Sequence, residues 1–376
     1  MGFASTFAVV LAGLRAVGAD RGESASGLLA LCLVMGVCSV ALGVRMRMPI
    51  AIAWSTPGAA LLVSTGAVAG GWPAAVGAFL VSAVLLTLAA AWRPLARLIG
   101  AIPPALASAM LAGVVLPLCI APVRAVVELP DLAAPVVVAW ALLYRFARRW
   151  AVPGALAVAA VVIVVSQDVA LGPASGLVPN LAFTVPHFTA GALVSIALPL
   201  FIVTMASQNI PGTAVLRTYG YEPPLRPVLG ATGAASIAAA PFGGLAVNLA
   251  AITAALVAGP DAHPDPARRW IASVAGGAAY FVLGLGAAFA TAFVAASPPL
   301  LIEAVAGLAL LGALGAALAA AVAQEDGRDA AVATLAVSAS GITAFGISAP
   351  FWGLLAGLAV LALREGVGAR RGRPGP

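Results

Sequence analysis

The sequence predicts an all-α polytopic membrane protein of about fourteen spans, arranged as a 7+7 inverted repeat. Three observations carry this. Of 376 residues, 62% are apolar and 9% are charged, against roughly 25% charged in soluble domains. Breaks rich in charge, Pro or Gly divide the chain into apolar runs, most of them long enough to cross a bilayer. Stretches of the two halves also resemble each other. A soluble core of this size could not hide so much apolar surface, which excludes a soluble enzyme, a nucleic-acid-binding module and a disordered chain.

The apolar runs lie near 1–18, 26–44, 49–66, 73–92, 103–121, 132–147, 151–166, 189–207, 224–240, 243–259, 268–296, 299–323, 329–346 and 349–364. The stretch 167–187 reads as the main external loop. It separates a first repeat (1–166) from a second (188–364), with a basic cytoplasmic tail at 365–376. If the N-terminus is cytoplasmic, 16 of the 19 basic residues fall in cytoplasmic turns and tail, and only Arg15, Arg21 and Arg124 fall outside. The bias toward positive charge inside favours this orientation, with both termini cytoplasmic, and supports the count. The net charge of +6 comes from arginines dispersed at the ends of apolar runs, which does not suggest a nucleic-acid partner. Cys32, Cys38 and Cys119 sit inside apolar runs and read as small core residues. No disulfide, metal or cofactor framework is implied, and no cleavable leader is expected.

Three echoes support the repeat. ASTFAVVLAGLRAVG (4–18) matches ASQNIPGTAVLRTYG (206–220) at Ala, Ser, Leu, Arg and Gly. PPALASAMLAG (103–113) pairs with PPLLIEAVAG (298–307), and PIAIAWSTPGAALL (49–62) with PFGGLAVNLAAITAAL (241–256). An odd number of crossings per half makes the halves antiparallel, an architecture common in secondary transporters. The same comparison leaves helix 1 short at its start: about 17 apolar residues precede Ala206–Ser207, but three precede Ala4–Ser5.

Two segments read as broken helices. Pro49 and Pro57 bracket IAIAWST, which predicts an extended stretch over 50–55 and a helix starting near Thr56. Pro241, Gly243 and Gly244 predict the same break, with a helix starting near Val247–Asn248. Irregular backbone is tolerated at membrane depth only where protein or a wet cavity covers it. Two helix N-termini meeting at the midplane would form an anion site without a cationic side chain; the alternative is a pair of ordinary proline kinks. Ser207, Gln208 and Asn209, ahead of Pro211–Gly212, are either ligand-facing or a helix end at the interface. Glu303 is the one acidic residue inside an apolar run. It is either a proton carrier or a carboxylate reaching the outer interface. HPDPARRW (263–270) reads as a turn, helix cap and cytoplasmic anchor. Trp54, inside the broken segment, is a candidate aromatic wall.

AWSTPGAALL (53–62), PLFIVTMASQNIPG (199–212), AITAAL (251–256), AHPD…RRW (262–270) and FWGLLAG (351–357) together resemble the benzoate/proton symporter (BenE-type) family over nearly the whole chain. The resemblance implies the seven-plus-seven fold of the uracil/xanthine and sulfate permeases. In that fold helices 1–4 and 8–11 form a core domain, and helices 5–7 and 12–14 a gate domain. Substrate is held between half-strand, half-helix segments 3 and 10 and helix 8. Nucleobase permeases of this fold carry carboxylates where this chain has Ser207–Gln208 and Gly244–Leu245, which argues against a nucleobase.

The resemblance implies import of an aromatic carboxylate, benzoate, with a proton, across the inner membrane, by a transporter rather than an enzyme. Thr56, Gly58 and Asn248, with Ser55 beside them, would hold the carboxylate. Ser207, Gln208 and Asn209 would orient the ligand, and Leu245 and Trp54 would flank the ring. The proton would ride on the substrate or on Glu303. A homodimer is left open. The alternatives are a transporter of another small anion or a nucleobase, and a passive anion channel.

Overall fold

The computed structural model describes residues 2–92, 102–166 and 179–371. The first helices, α1 (Gly2–Ala16) and α2 (Arg21–Met46), are joined by a reciprocal cap: Asp20 accepts from the Glu23 N–H at 2.7 Å, and Glu23 accepts from the Asp20 N–H at 2.8 Å. A strand β1 (Ile52–Trp54) then runs straight into α3 (Thr56–Thr65), followed by α4 (Gly71–Ala91), α5 (Pro104–Glu128), α6 (Pro130–Phe146) and α7 (Ala151–Ser166). The long α8 (Ala190–Thr218) and α9 (Leu225–Ala239) lead to strand β2 (Val247–Leu249) and α10 (Ala251–Ala258). The remainder is α11 (Trp270–Leu285), α12 (Ala287–Ala296), α13 (Pro299–Ala321), α14 (Arg328–Ala339), a hairpin of β3 (Thr343–Ala344) and β4 (Ile347–Ser348), and α15 (Ala349–Arg371). Among the described residues, six helices are long and apolar enough to cross a bilayer, or seven if α11 and α12, bent by 57°, count as one span.

Several boundaries differ from the sequence expectation, each for a physical reason. The run ending at 207 continues as helix to Thr218. Two wide turns make this possible. At Leu193–Ala197 and again at Met205–Asn209 the bonding shifts to five residues, with Leu198 N–H on the Leu193 carbonyl and Ile210 N–H on the Met205 carbonyl. Pro199 and Pro211 follow directly, at positions where the ordinary four-residue bond is already interrupted. The Ser195 carbonyl, to which Pro199 has no N–H to donate, accepts from Ser348 Oγ at 3.1 Å. The expected helix over 329–346 stops at Ala339, because positive φ at Gly341 (67°), Phe345 (55°) and Gly346 (73°) folds the chain into the β3–β4 hairpin. The expected tail at 365 is helical as far as Arg371. Of the expected loop, 167–178 lie outside the described residues. Residues 179–189 run without regular structure and are tied down by Ala182 N–H on Ser26 Oγ, Thr184 N–H on the Pro241 carbonyl and His187 N–H on the Pro73 carbonyl.

The helices pack through small residues. α2 meets α11 where Gly36 lies on the Gly277 carbonyl, and α5 meets α13 where Gly307 lies on the Leu118 carbonyl. α4 packs on α9, α6 on α7, and α14 on α15 and α5. Arg269 closes the end of α10: its guanidinium is buried and donates to the Ala258 carbonyl at 2.8 Å and, through Nε, to the His263 carbonyl at 2.8 Å. The turn and helix cap expected of HPDPARRW are formed by Asp265, whose Oδ1 accepts from the Ala267 N–H at 2.9 Å.

A Cβ at Gly307 has no room without moving the α5 backbone, whereas one at Gly315 meets nothing within 4 Å. Gly307→Ala is therefore expected to destabilise the protein by about 1–3 kcal/mol, and Gly315→Ala to leave it unchanged or slightly more stable. Thermal unfolding of the two purified variants in detergent checks this.

Candidate functional site

The site is built on the pairing of β1 with β2, two three-residue strands from segments almost two hundred residues apart. They run antiparallel with Ile52 opposite Leu249, Ala53 opposite Asn248 and Trp54 opposite Val247. Ser55 N–H extends the pairing to the Ala246 carbonyl at 2.9 Å, and Ala250 N–H to the Ala51 carbonyl at 2.9 Å. Because the strands are antiparallel, α3 and α10 leave the pair from opposite ends. The expected helix start at Val247–Asn248 moves to Ala251, since those residues are held extended by β1.

Side chains satisfy what the short ladder leaves open. Asn209 Oδ1, in the second wide turn of α8, accepts from the Leu249 N–H at 2.9 Å. Ser236 Oγ on α9 accepts from the Val247 N–H at 2.9 Å. Ser55 Oγ caps α3 by accepting from the Gly58 N–H at 3.1 Å, and receives the Thr204 hydroxyl at 2.8 Å. Gly58 is needed for contact rather than for a ligand, because a Cβ there would strike Leu200 of α8 and crowd Ser55. The side chains of Ser55, Asn209 and Asn248 are fully buried.

Beside the ladder lies a cavity of about 90 Å³. Both short helices begin on its wall: Thr56 and Pro57 from α3, and Ala250, just before α10, with Thr253 from its first turn. Trp54 and Tyr280 form its aromatic side, 6.4 Å apart between ring centres, and Trp54 is fixed by its indole N–H on Thr6 Oγ1 at 2.9 Å. Gln208 from α8 and Ala309, Leu310 and Ala313 from α13 complete it. Among the described residues, no charged side chain lines it. The starts of both helices carry the partial positive charge of the aligned peptide dipoles, although in α3 Pro57 has no N–H and the Gly58 N–H is taken by Ser55 Oγ. Gln208, Pro57 and Ala313 also wall a wider opening of about 360 Å³ that runs past Ser207 between the start of α5 and the end of α13. The cavity therefore offers partial positive charge, hydroxyls, one amide and an aromatic face.

Of the residues expected from sequence, Trp54, Thr56 and Gln208 line the small cavity, and Ser207 lines the wider opening. Ser55, Gly58 and Asn209 stand behind the wall and hold it. Leu245 and Asn248 are buried and lie on neither wall; Asn248 Nδ2 donates to the Leu249 carbonyl at 3.0 Å. Glu303 is half-buried on α13 and lines a separate cavity with Arg15.

Comparison with known proteins identifies the family. Residues 1–363 match the family described as Benzoate membrane transport protein (BenE). The chain belongs to that family. It is 39% identical over 362 residues to the Inner membrane protein YdcO of Escherichia coli, covering 95% of this chain and 91% of that one. It is 31% identical over 343 residues to the Benzoate membrane transport protein of Acinetobacter baylyi, covering 89% and 84%. Among solved structures it is similar to the transmembrane domain of a cyanobacterium bicarbonate transporter, BicA. The TM-score is 0.56 at 13% identity, over 94% of this chain and 97% of that one. As a BenE family member the chain is a membrane transport protein, not an enzyme, and it shares its fold with an anion transporter.

Sequence reasoning missed Tyr280, Thr253, Thr6 and Ser236. Each is a polar or aromatic residue within a largely apolar helix. Only Thr253 carried a local signal, since AITAAL puts a threonine in the first turn of a short helix.

Removing the Asn209 amide would leave the Leu249 N–H buried without its acceptor. Asn209→Ala is expected to lose about 1–3 kcal/mol of stability, while Asn209→Asp, which keeps an acceptor oxygen but buries a carboxyl group, is expected to be more stable at low pH, where that group is neutral, than at neutral pH. Thermal melts of the two variants at low and neutral pH separate these outcomes.

Proposed function

We propose that the chain imports an aromatic carboxylate, with benzoate as the first candidate, together with protons, across the inner membrane. The observation that carries this is the 90 Å³ cavity on which α3 and α10 both begin, under Trp54 and Tyr280, with no charged side chain among the described residues of its wall. The carboxylate lies at the two helix N-termini, with Thr56 and Thr253 as hydroxyl partners and Gln208 as an amide partner. The ring lies against Trp54 and Tyr280. Helix termini stabilise an anion by aligned peptide dipoles and free N–H groups, and gain strength where water is excluded. The name of the Acinetobacter relative points to the same substrate.

The transport cycle we propose is alternating access in a fourteen-span inverted repeat, counting α11 and α12 as one bent span. Its support is the exchange symmetry of the packing. α2 packs on α11 as α9 packs on α4, α1 on α3 as α8 on α10, and α6 on α7 as α14 on α15, while β1 with β2 and α5 with α13 pair across the two halves. The core would be α1–α4 with α8–α12, the gate α5–α7 with α13–α15. The wider opening beside Ser207 is then the route to the cytoplasmic, arginine-rich side.

Labelled benzoate should accumulate in proteoliposomes under an inward proton gradient and should not do so with an uncoupler present. Gln208→Glu puts a negative charge on the cavity wall and is expected to cut uptake at least tenfold, with folding unchanged. Flux that ignores the proton gradient would identify a channel. Competition by nucleobases or inorganic anions, but not by aromatic acids, would move the substrate class.

A further inference from the structure

A second cavity, of about 290 Å³, lies between α1, α3, α12 and α13 and is lined by Arg15, Glu303, Ala12, Val63, Val294 and Ile302. Its charged side chains are Arg15 and Glu303. They are not ion-paired with one another among the described residues; Arg15 Nη1 donates to the Val294 carbonyl at 3.3 Å. Three elements give its distance from the first cavity. Thr6 to Ala12 on α1, Thr56 to Val63 on α3 and Ile302 to Ala309 on α13 are each six or seven helical residues, about 10 Å. The chain between is tightly packed: Phe7, Val10 and Leu11 on α1 and Ala59 to Leu62 on α3 are buried. The cavity thus sits in line with the first one, on the side opposite the wider opening beside Ser207, and is closed off from it.

We propose that this second cavity is the access site where the carboxylate is first bound, with Arg15 as its cationic contact and Glu303 as a proton acceptor that opposes the anion while ionised. This rests on the reading of the chain as an aromatic-carboxylate importer. With Glu303 ionised, the cavity holds one charge of each sign. When Glu303 takes a proton from water, Arg15 is left as the net charge and attracts an anion. Carboxylate binding and proton binding then favour each other by the same factor. The other charged and titratable groups on the elements packed around Glu303 are Cys119, whose thiol donates to the Gly307 carbonyl, and the pair Arg124 and Glu128 at 3.5 Å, all on α5, with Asp131, Tyr144 and Arg145 on α6; α7 and α12 carry none.

Initial rates of labelled-benzoate uptake into proteoliposomes, across substrate concentration and external pH, test this. Arg15→Gln is expected to raise KM roughly tenfold with turnover little changed, and Arg15→Lys to recover most of it. Glu303→Gln is expected to make KM independent of external pH. Ala12→Glu, which adds a negative charge to the same wall without removing Arg15, should raise KM as Arg15→Gln does and covers the case of a misfolded Arg15 variant. An unchanged KM in Arg15→Gln or Ala12→Glu, or a KM in Glu303→Gln that still follows pH, overturns the proposal. Absence of uptake by the folded parent chain instead overturns the importer reading beneath it.

Discussion

The rest of this molecule depends on the pairing of two three-residue strands in the middle of an apolar bundle. Backbone N–H and C=O groups at membrane depth have no water to bond and must be satisfied within the protein. A helix does this by itself; a break in a helix does not. Here each break answers the other, β1 against β2. Three side chains take up donors that the ladder leaves over, Asn209 on Leu249, Ser236 on Val247, and Ser55 on the first turn of α3. Once the breaks are stabilised, the starts of α3 and α10 are necessarily inside the protein. Their aligned peptide dipoles are then a polar resource that costs no buried charge.

The same constraint explains α8. A helix passing this ladder must present a side-chain acceptor to it and still span the bundle. The wide turn at Met205–Asn209 brings Asn209 to Leu249 while Ser207 and Gln208 line the openings. The matching turn at Leu193–Ala197 frees the Ser195 carbonyl for Ser348, which pins the β3–β4 hairpin to the same helix. In both places a proline follows the wide turn, so a residue that breaks ordinary helices is absorbed where the bonding has already shifted.

Much of the fold was legible in sequence, because bilayer crossing imposes a length and composition that short-range reading detects. The start of α3 at Thr56 was legible too, since Ser55, Pro57 and Gly58 are local helix-start signals. The start of α10 was not. Val247 and Asn248 are held extended by residues 52–54, and nothing near them in sequence reports that partner. For the same reason Leu245 and Asn248 were expected on the substrate, and Tyr280 and Ser236 were not expected at all. Asn209 was expected to orient a ligand, whereas its oxygen is committed to the backbone of β2. A polar residue in an apolar run signals that it has a partner, but not whether the partner is a ligand or the chain itself.

In the proposed site the carboxylate rests on the N-termini of α3 and α10. Solid-state NMR on the reconstituted protein tests it most directly, with benzoate carrying a 13C carboxyl and the protein 15N-labelled at threonine, which includes the amides of Thr56 and Thr253. Strong dipolar dephasing is expected between the benzoate carboxyl carbon and threonine amide nitrogen, lost on competition with unlabelled benzoate. Saturable benzoate binding with no such dephasing would contradict it.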